Sequence, residues 1–162
     1  MFLCAVIATS LAGCGNDESP TPDRRSSDGG RPPSGWLAAV GSDGTLAYTF
    51  DDVSWGVTKI ADRDLSTVAC VGNELGWVAG SAGLVLHTDD GGQSWHQQAS
   101  GLSADLYAIA FASDPSSGQL YGVVGGGAGA LAVTSDGGAS YRVTSSGTTA
   151  TLRAAAMALK SG

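Results

Sequence analysis

The sequence predicts an all-β protein of about three repeated four-stranded units, set behind a short address segment and a tether. Three observations carry that prediction. Glycine takes 25 of the 162 residues and charged residues only 14%, a mixture suited to short strands and tight turns rather than to a helical bundle. A hairpin pattern closed by an aromatic residue occurs three times along the chain. Its aromatic anchors Trp55, Trp95 and Tyr141 stand 40 and then 46 residues apart, close to the ~40–45 residues of one four-stranded repeat.

The elements follow in chain order. Residues 1–13 carry no charge and are mostly apolar, with the run Phe2-Leu3-Cys4-Ala5-Val6-Ile7-Ala8 at their centre. That run is far shorter than the ~20 residues that cross a bilayer. Small residues then lead into a cysteine, Leu11-Ala12-Gly13-Cys14. This segment resembles the signal peptide and lipobox of bacterial lipoproteins. The resemblance implies that Cys14 becomes the first mature residue, carries the lipid and anchors the chain in the cell envelope through buried acyl chains. Gly15, not Asp, follows Cys14, which by the same resemblance favours the outer membrane where the organism has one. The competing reading is an ordinary secretory signal with a chance cysteine.

Residues 14–34 form the lipidated cysteine and a linker. Pro20, Pro22, Pro32 and Pro33 are spaced by Ser, Asp, Gly and Arg. With almost nothing apolar to bury, the segment is expected to be a disordered tether, and Arg24, Arg25 and Arg31 to be solvated.

Residues 35–162 carry the repeat. Its clearest copy runs from Gly83 to Trp95 and contains Thr88, Asp90, Gly91, Gly92 and Ser94. The copy from Gly129 to Tyr141 aligns with it without a gap, placing Thr134, Asp136, Gly137, Gly138 and Ser140. An earlier copy from Gly44 to Trp55 keeps Thr49, Asp51 and Ser54 but is one residue shorter and lacks both turn glycines. In such a corner the Asp accepts hydrogen bonds from turn amides and the glycines adopt positive φ. The aromatic residue that follows packs across the hairpin. An aromatic strand precedes each copy, beginning at Trp36, Trp77 and Tyr121. A similar apolar stretch follows each: Leu65 to Cys70, Leu106 to Phe111 and Leu152 to Met157. That alignment expects Cys70 to be a small buried core thiol.

The pattern Gly-x-hydrophobic-x-x-Thr-x-Asp-Gly-Gly-x-Ser-Trp resembles the Asp-box, or BNR, repeat of bacterial sialidases, sortilin-type receptors and photosystem II assembly factors of the HCF136 type, and most of all the last. The resemblance spans about residues 35–158. It implies four-stranded β-propeller-type blades, and a partial or truncated propeller, because three blades fall short of the four to eight of a closed ring. Pairing of two chains into six blades and an open stack with frayed ends are the other solutions. In the families it resembles the Asp-box is structural and remote from any active centre.

The residues offer little chemistry. A sialidase would need three arginines on a carboxylate, a Tyr-Glu nucleophile and an acid. The repeats hold Arg63, Arg142, Arg153 and one glutamate, Glu74, without the supporting motifs. His87 and His96 lack a partner at metal-ligand spacing, and the Asp89-Asp90 pair lacks the further oxygens calcium needs. The Gly125 to Gly129 run lacks the Lys-Ser/Thr of a phosphate loop. A net charge of −7 with no basic cluster argues against nucleic acid and anionic lipid surfaces. No cofactor, metal or catalytic residue is expected. The expected function is a non-catalytic binding or assembly module at the envelope, with an envelope protein or a glycan as partner and a homo-oligomer left open. Its rivals are a glycan-acting hydrolase completed by oligomerisation and a degenerate propeller without a selected activity.

Overall fold

The structure, a computed structural model, describes residues 35–159 other than Asp52. The expected signal segment 1–13, Cys14 and the linker up to residue 34 lie outside the described residues. The described chain is all-β, a partial propeller of three antiparallel sheets. Blade 1 comprises β1 (Leu37–Val40), β2 (Thr45–Thr49) and β3 (Gly56–Lys59). Blade 2 comprises β4 (Leu65–Val71), β5 (Leu75–Gly80), β6 (Leu84–Thr88) and β7 (His96–Ala99). Blade 3 comprises β8 (Leu106–Ser113), β9 (Leu120–Gly126), β10 (Leu131–Thr134) and β11 (Arg142–Val143). Each sheet is a meander whose neighbours in sequence are neighbours in space.

The middle hairpin of each blade turns on the same geometry. Asp43, Ala82 and Ala128 adopt φ of 55°, 54° and 53°, and Gly44, Gly83 and Gly129 follow at 70°, 72° and 71°. Positive φ at both central residues gives the turn the hand that matches twisted strands. Only glycine fits the second position. A Cβ at Gly44, Gly83 or Gly129 would stand 1.8, 1.8 and 1.9 Å from the carbonyl oxygens of Ala61, Leu102 and Thr148.

Strand alternation gives each sheet two faces. In blade 2 both are buried. Val78, Leu86, Leu65 and Leu84 pack towards Val40, Ile60 and Ala61 of blade 1. Trp77, Ala79 and Val85 pack towards Leu106, Ile109, Phe111, Val124 and Ala132 of blade 3. At the centre of the second interface three rings form a stack. The Trp77 ring lies 3.9 Å from that of Phe111, at 6° between planes, and 4.6 Å from that of His87, at 16°. Phe111 can lie flat because its cross-strand partner is Gly122, where a Cβ would come within 2.3 Å of the ring. The Trp77 indole N–H donates to the Gly137 carbonyl of blade 3 at 3.0 Å, so its one polar atom is satisfied while the side chain is fully buried.

Four sequence expectations need correction. Blade 1 has three strands rather than four among the described residues, because the stretch that aligns with β4 and β8 follows each corner instead of preceding it. The third such stretch, Leu152 to Met157, is not a strand. It has a start like that of β4, with Leu152 N–H donating to Gly126 O at 2.9 Å where Leu65 N–H donates to Gly41 O at 3.0 Å, but it joins no sheet among the described residues.

Trp36, Trp77 and Tyr121 are not equivalent. The corner threonines Thr49, Thr88 and Thr134 pair with Leu37, Gly76 and Gly122, so Trp36 corresponds to Leu75 and Tyr121, whereas Trp77 corresponds to Ala38 and Val123. Cys70 is half-buried rather than buried. At its cross-strand partner Gly76, the space that Phe111 fills over Gly122 is taken by the Trp36 ring, within 2.9 Å of where a Cβ would be.

Truncating Trp77 removes the middle ring of the stack, so Phe111 and His87 both lose their partner, and leaves the Gly137 carbonyl with less hydrogen bonding. Trp77→Ala should cost about 4 kcal/mol, read as a lowered urea midpoint of the purified protein.

Candidate functional site

The Asp-box corners are closed by side chains acting on their own loop. In blade 2, Thr88 Oγ1 donates to Asp90 Oδ1 at 2.7 Å and accepts the Gly92 N–H at 2.9 Å. Asp90 Oδ1 also accepts the Ser94 N–H at 2.9 Å, and Oδ2 accepts the Ser94 hydroxyl at 2.6 Å. Trp95 completes the corner, its indole N–H donating to Gly92 O at 3.2 Å. Blade 3 repeats the set with Thr134, Asp136, Gly138 and Ser140. Gly91, Gly92, Gly137 and Gly138 have φ between 70° and 90°, which lets the amides turn inward. The shortened first corner keeps the carboxylate's part without glycines. Asp51 Oδ1 accepts from Thr49 Oγ1 at 3.0 Å, Val53 N–H at 2.9 Å and Ser54 N–H at 2.7 Å. Trp55 is half exposed there.

Hydrogen bonds to the ionised form lower a carboxyl pKa. The Ser94 hydroxyl and amide hold Asp90 down from 3.8 to about 2. The Ser140 hydroxyl, then that of Thr134, does so for Asp136, also to about 2. The Ser54 and Val53 amides bring Asp51 to about 2. Burial, then the Asp136 charge, pushes the Tyr141 hydroxyl up. That hydroxyl donates to Gln98 Oε1 at 3.0 Å, while Gln98 Nε2 donates to Gly137 O at 3.1 Å. One corner of blade 3 is thus tied to the last strand of blade 2.

Some of these residues carry no repeat signature. Gln98 belongs to no motif. Asp64 and Asp105 were also missed: Asp64 Oδ1 accepts the Asp43 N–H and Asp105 Oδ1 the Ala82 N–H, both at 2.9 Å. They clamp the positive-φ turns of blades 1 and 2. Their signal is an Asp directly before the leucine of each inner stretch, Asp64-Leu65 and Asp105-Leu106, with Thr151 in the third place. His87 stacks on Trp77, and its Nδ1 lies 3.0 Å from Gly76 O.

Among the described residues the outward face of blade 3 is open. A cleft of about 510 Å³ lies there, lined by Tyr121, Val133, Ser135, Tyr141, Arg142 and Met157 among others. Its lining mixes the apolar Val133 and Met157 with the hydroxyls of Tyr121, Thr134, Ser135, Ser140 and Tyr141, and Arg142 adds one cation. Among the described residues no three His, Cys, Asp or Glu side chains are grouped to hold a metal ion. Arg63 precedes β4, Arg142 lies on β11, and Arg153 sits over the Tyr107 ring, 5.7 Å from its centroid.

Thr-x-Asp corners at the outer hairpins of consecutive antiparallel sheets define an Asp-box repeat protein of the propeller class. A family model described as "Photosynthesis system II assembly factor YCF48" matches residues 28–106. The photosystem II stability/assembly factor HCF136 of Arabidopsis thaliana is 42% identical over 43 residues, covering 25% of this chain and 11% of that protein. A solved structure of YCF48 bound to a D1 peptide superposes with a TM-score of 0.55 at 26% identity, over 67% of this chain and 36% of that one. The chain carries HCF136-like, BNR propeller-type repeats, and it spans well under two thirds of each of these two relatives.

The lowered carboxyl pKa values set an acid limb. Each Asp stays ionised to lower pH in the folded chain than in the unfolded one, so the corners add stability above about pH 4 that is lost as pH falls from 3.8 towards 2. Asp90→Asn combined with Asp136→Asn should lower the denaturation midpoint at pH 7 and flatten its fall between pH 4 and pH 2. An acid limb as steep as the parent's would show that other groups carry it.

Proposed function

We propose that the chain is a lipid-anchored, non-catalytic module of the cell envelope that holds a segment of another protein against the open face of blade 3. The observation that carries this reading is the likeness to YCF48 in its complex with a D1 peptide. The cleft of about 510 Å³ on that face supports it. Its size is that of pockets that take peptides or small ligands, and tyrosine with arginine is the composition that anchors protein partners. The lipid on Cys14 and the linker behind it would keep this face within reach of membrane-bound partners.

A fluorescent D1 peptide titrated into the protein tests the binding step. Binding is expected, and Val133→Asp, which places a carboxylate in the cleft wall, should weaken it more than tenfold while leaving the thermal transition in place. An unchanged affinity would move the site elsewhere, and no binding by the parent chain would remove the reading. For the anchor, Cys14→Ser should shift the protein from the membrane pellet to the soluble fraction of lysed cells.

A further inference from the structure

The two end blades of the array carry matching defects. In blades 2 and 3 the inner edge of the second strand is occupied: β4 pairs with β5 and β8 with β9, each with a register shift after its first leucine. The corresponding edge of β1 has no strand on it among the described residues. At the other end, the stretch from Leu152 has the sequence place of β4 and β8 and docks its first amide as β4 does, yet pairs with no strand. Blade 2 stands between the two ends, so the chain's own tail is not placed to fill its own edge.

The faces match as well. Tyr121 holds the place from which Trp36 reaches the corner of blade 2, where its ring packs against Gly92 and lies 6.2 Å from Trp95. Tyr121 opens instead onto the cleft. Blade 1 presents the counterpart, an outer corner with Phe50, Val53 and Trp55 exposed, and Leu37 half exposed on β1.

The geometry points to a second copy of this chain as the occupant of the blade 3 face. Its blade 1 packs on that face, and residues 152–157 of the first copy pair antiparallel with its β1. The inference rests on reading that face as a protein-docking surface, and it names the partner. The registers of β4 on β5 and β8 on β9 fix the pairing. Ala154 falls opposite Val40 of the second copy, Ala155 opposite Ala39, Ala156 opposite Ala38, and Met157 opposite Leu37. Strand addition of this kind uses backbone hydrogen bonds already lacking on both sides. Two copies of the described residues that exchange both tails make six blades, within the range of closed rings.

The test uses the full chain. Light scattering of the Cys14→Ser chain, which carries no lipid, should give twice its single-chain mass. In a chain whose three native cysteines are replaced by serine, Ala39→Cys with Ala155→Cys should oxidise to an intermolecular disulfide, seen as a dimer on a non-reducing gel. The off-register pair, Ala39→Cys with Ala156→Cys, should cross-link at least tenfold less. A chain of single mass at every concentration, or equal cross-linking by both pairs, overturns the inference. The D1 peptide titration separates the two readings. A monomer that binds the peptide overturns the second copy and leaves the docking face standing, and a monomer that binds nothing overturns both. A dimer with the stated cross-link that ignores the peptide supports the second copy and removes the reading in which a different protein's segment occupies the face.

Discussion

The rest of the molecule depends on the aromatic layer between blades 2 and 3. A sheet of four short strands cannot bury both of its faces by itself, so each blade is stable only to the degree that its neighbour covers it. Trp77 meets that constraint from three directions. It presses one ring face on Phe111 and the other on His87, and it spends its only polar atom on the Gly137 carbonyl. The same carbonyl takes the Gln98 amide. Apolar contact and the corner hydrogen bonds therefore converge on one turn, and the position of blade 3 relative to blade 2 is fixed by packing and by direction together.

The interface between blades 1 and 2 solves the same problem with a ring from another position. Trp36 fills the space over Gly76 that Phe111 fills over Gly122, and it edges against Trp95. The solution is less complete. The Trp36 indole nitrogen is buried with no hydrogen-bond partner among the described residues, a cost of roughly 1–3 kcal/mol that Trp77 avoids.

This contrast also separates what the sequence discloses from what it hides. The corners were legible because their bonds are local: Thr88, Asp90 and Ser94 lie within seven consecutive residues, and the chemistry of an Asx-type turn is confined to such a span. The number of sheets followed from the spacing of Trp55, Trp95 and Tyr141. The interblade bonds were not legible. Asp64 reaches Asp43 across 21 residues, Asp105 reaches Ala82 across 23, and Gln98 reaches Gly137 across 39. Asp64 and Asp105 leave only a two-residue trace, an Asp before a leucine, and nothing in a one-dimensional pattern distinguishes Gln98 from a solvated residue. The misalignment of Trp36 with Trp77 has the same origin, since both are tryptophans at the start of an apolar run and only strand register tells their faces apart. The cleft arises from what a neighbouring blade leaves uncovered, and no motif encodes that.

Within a single copy, blade 2 is the one described blade with both faces covered, and this has a consequence for how an isolated chain comes apart. Its cohesion is the sum of two contacts, whereas each outer blade relies on one. Melting of a single copy is then a one-dimensional process that starts at the ends and works inward. Hydrogen exchange should fade from the centre outward, slowest at the amides of β5 and β6 and fastest in β3 and β11, so that the middle blade persists as the last island of order.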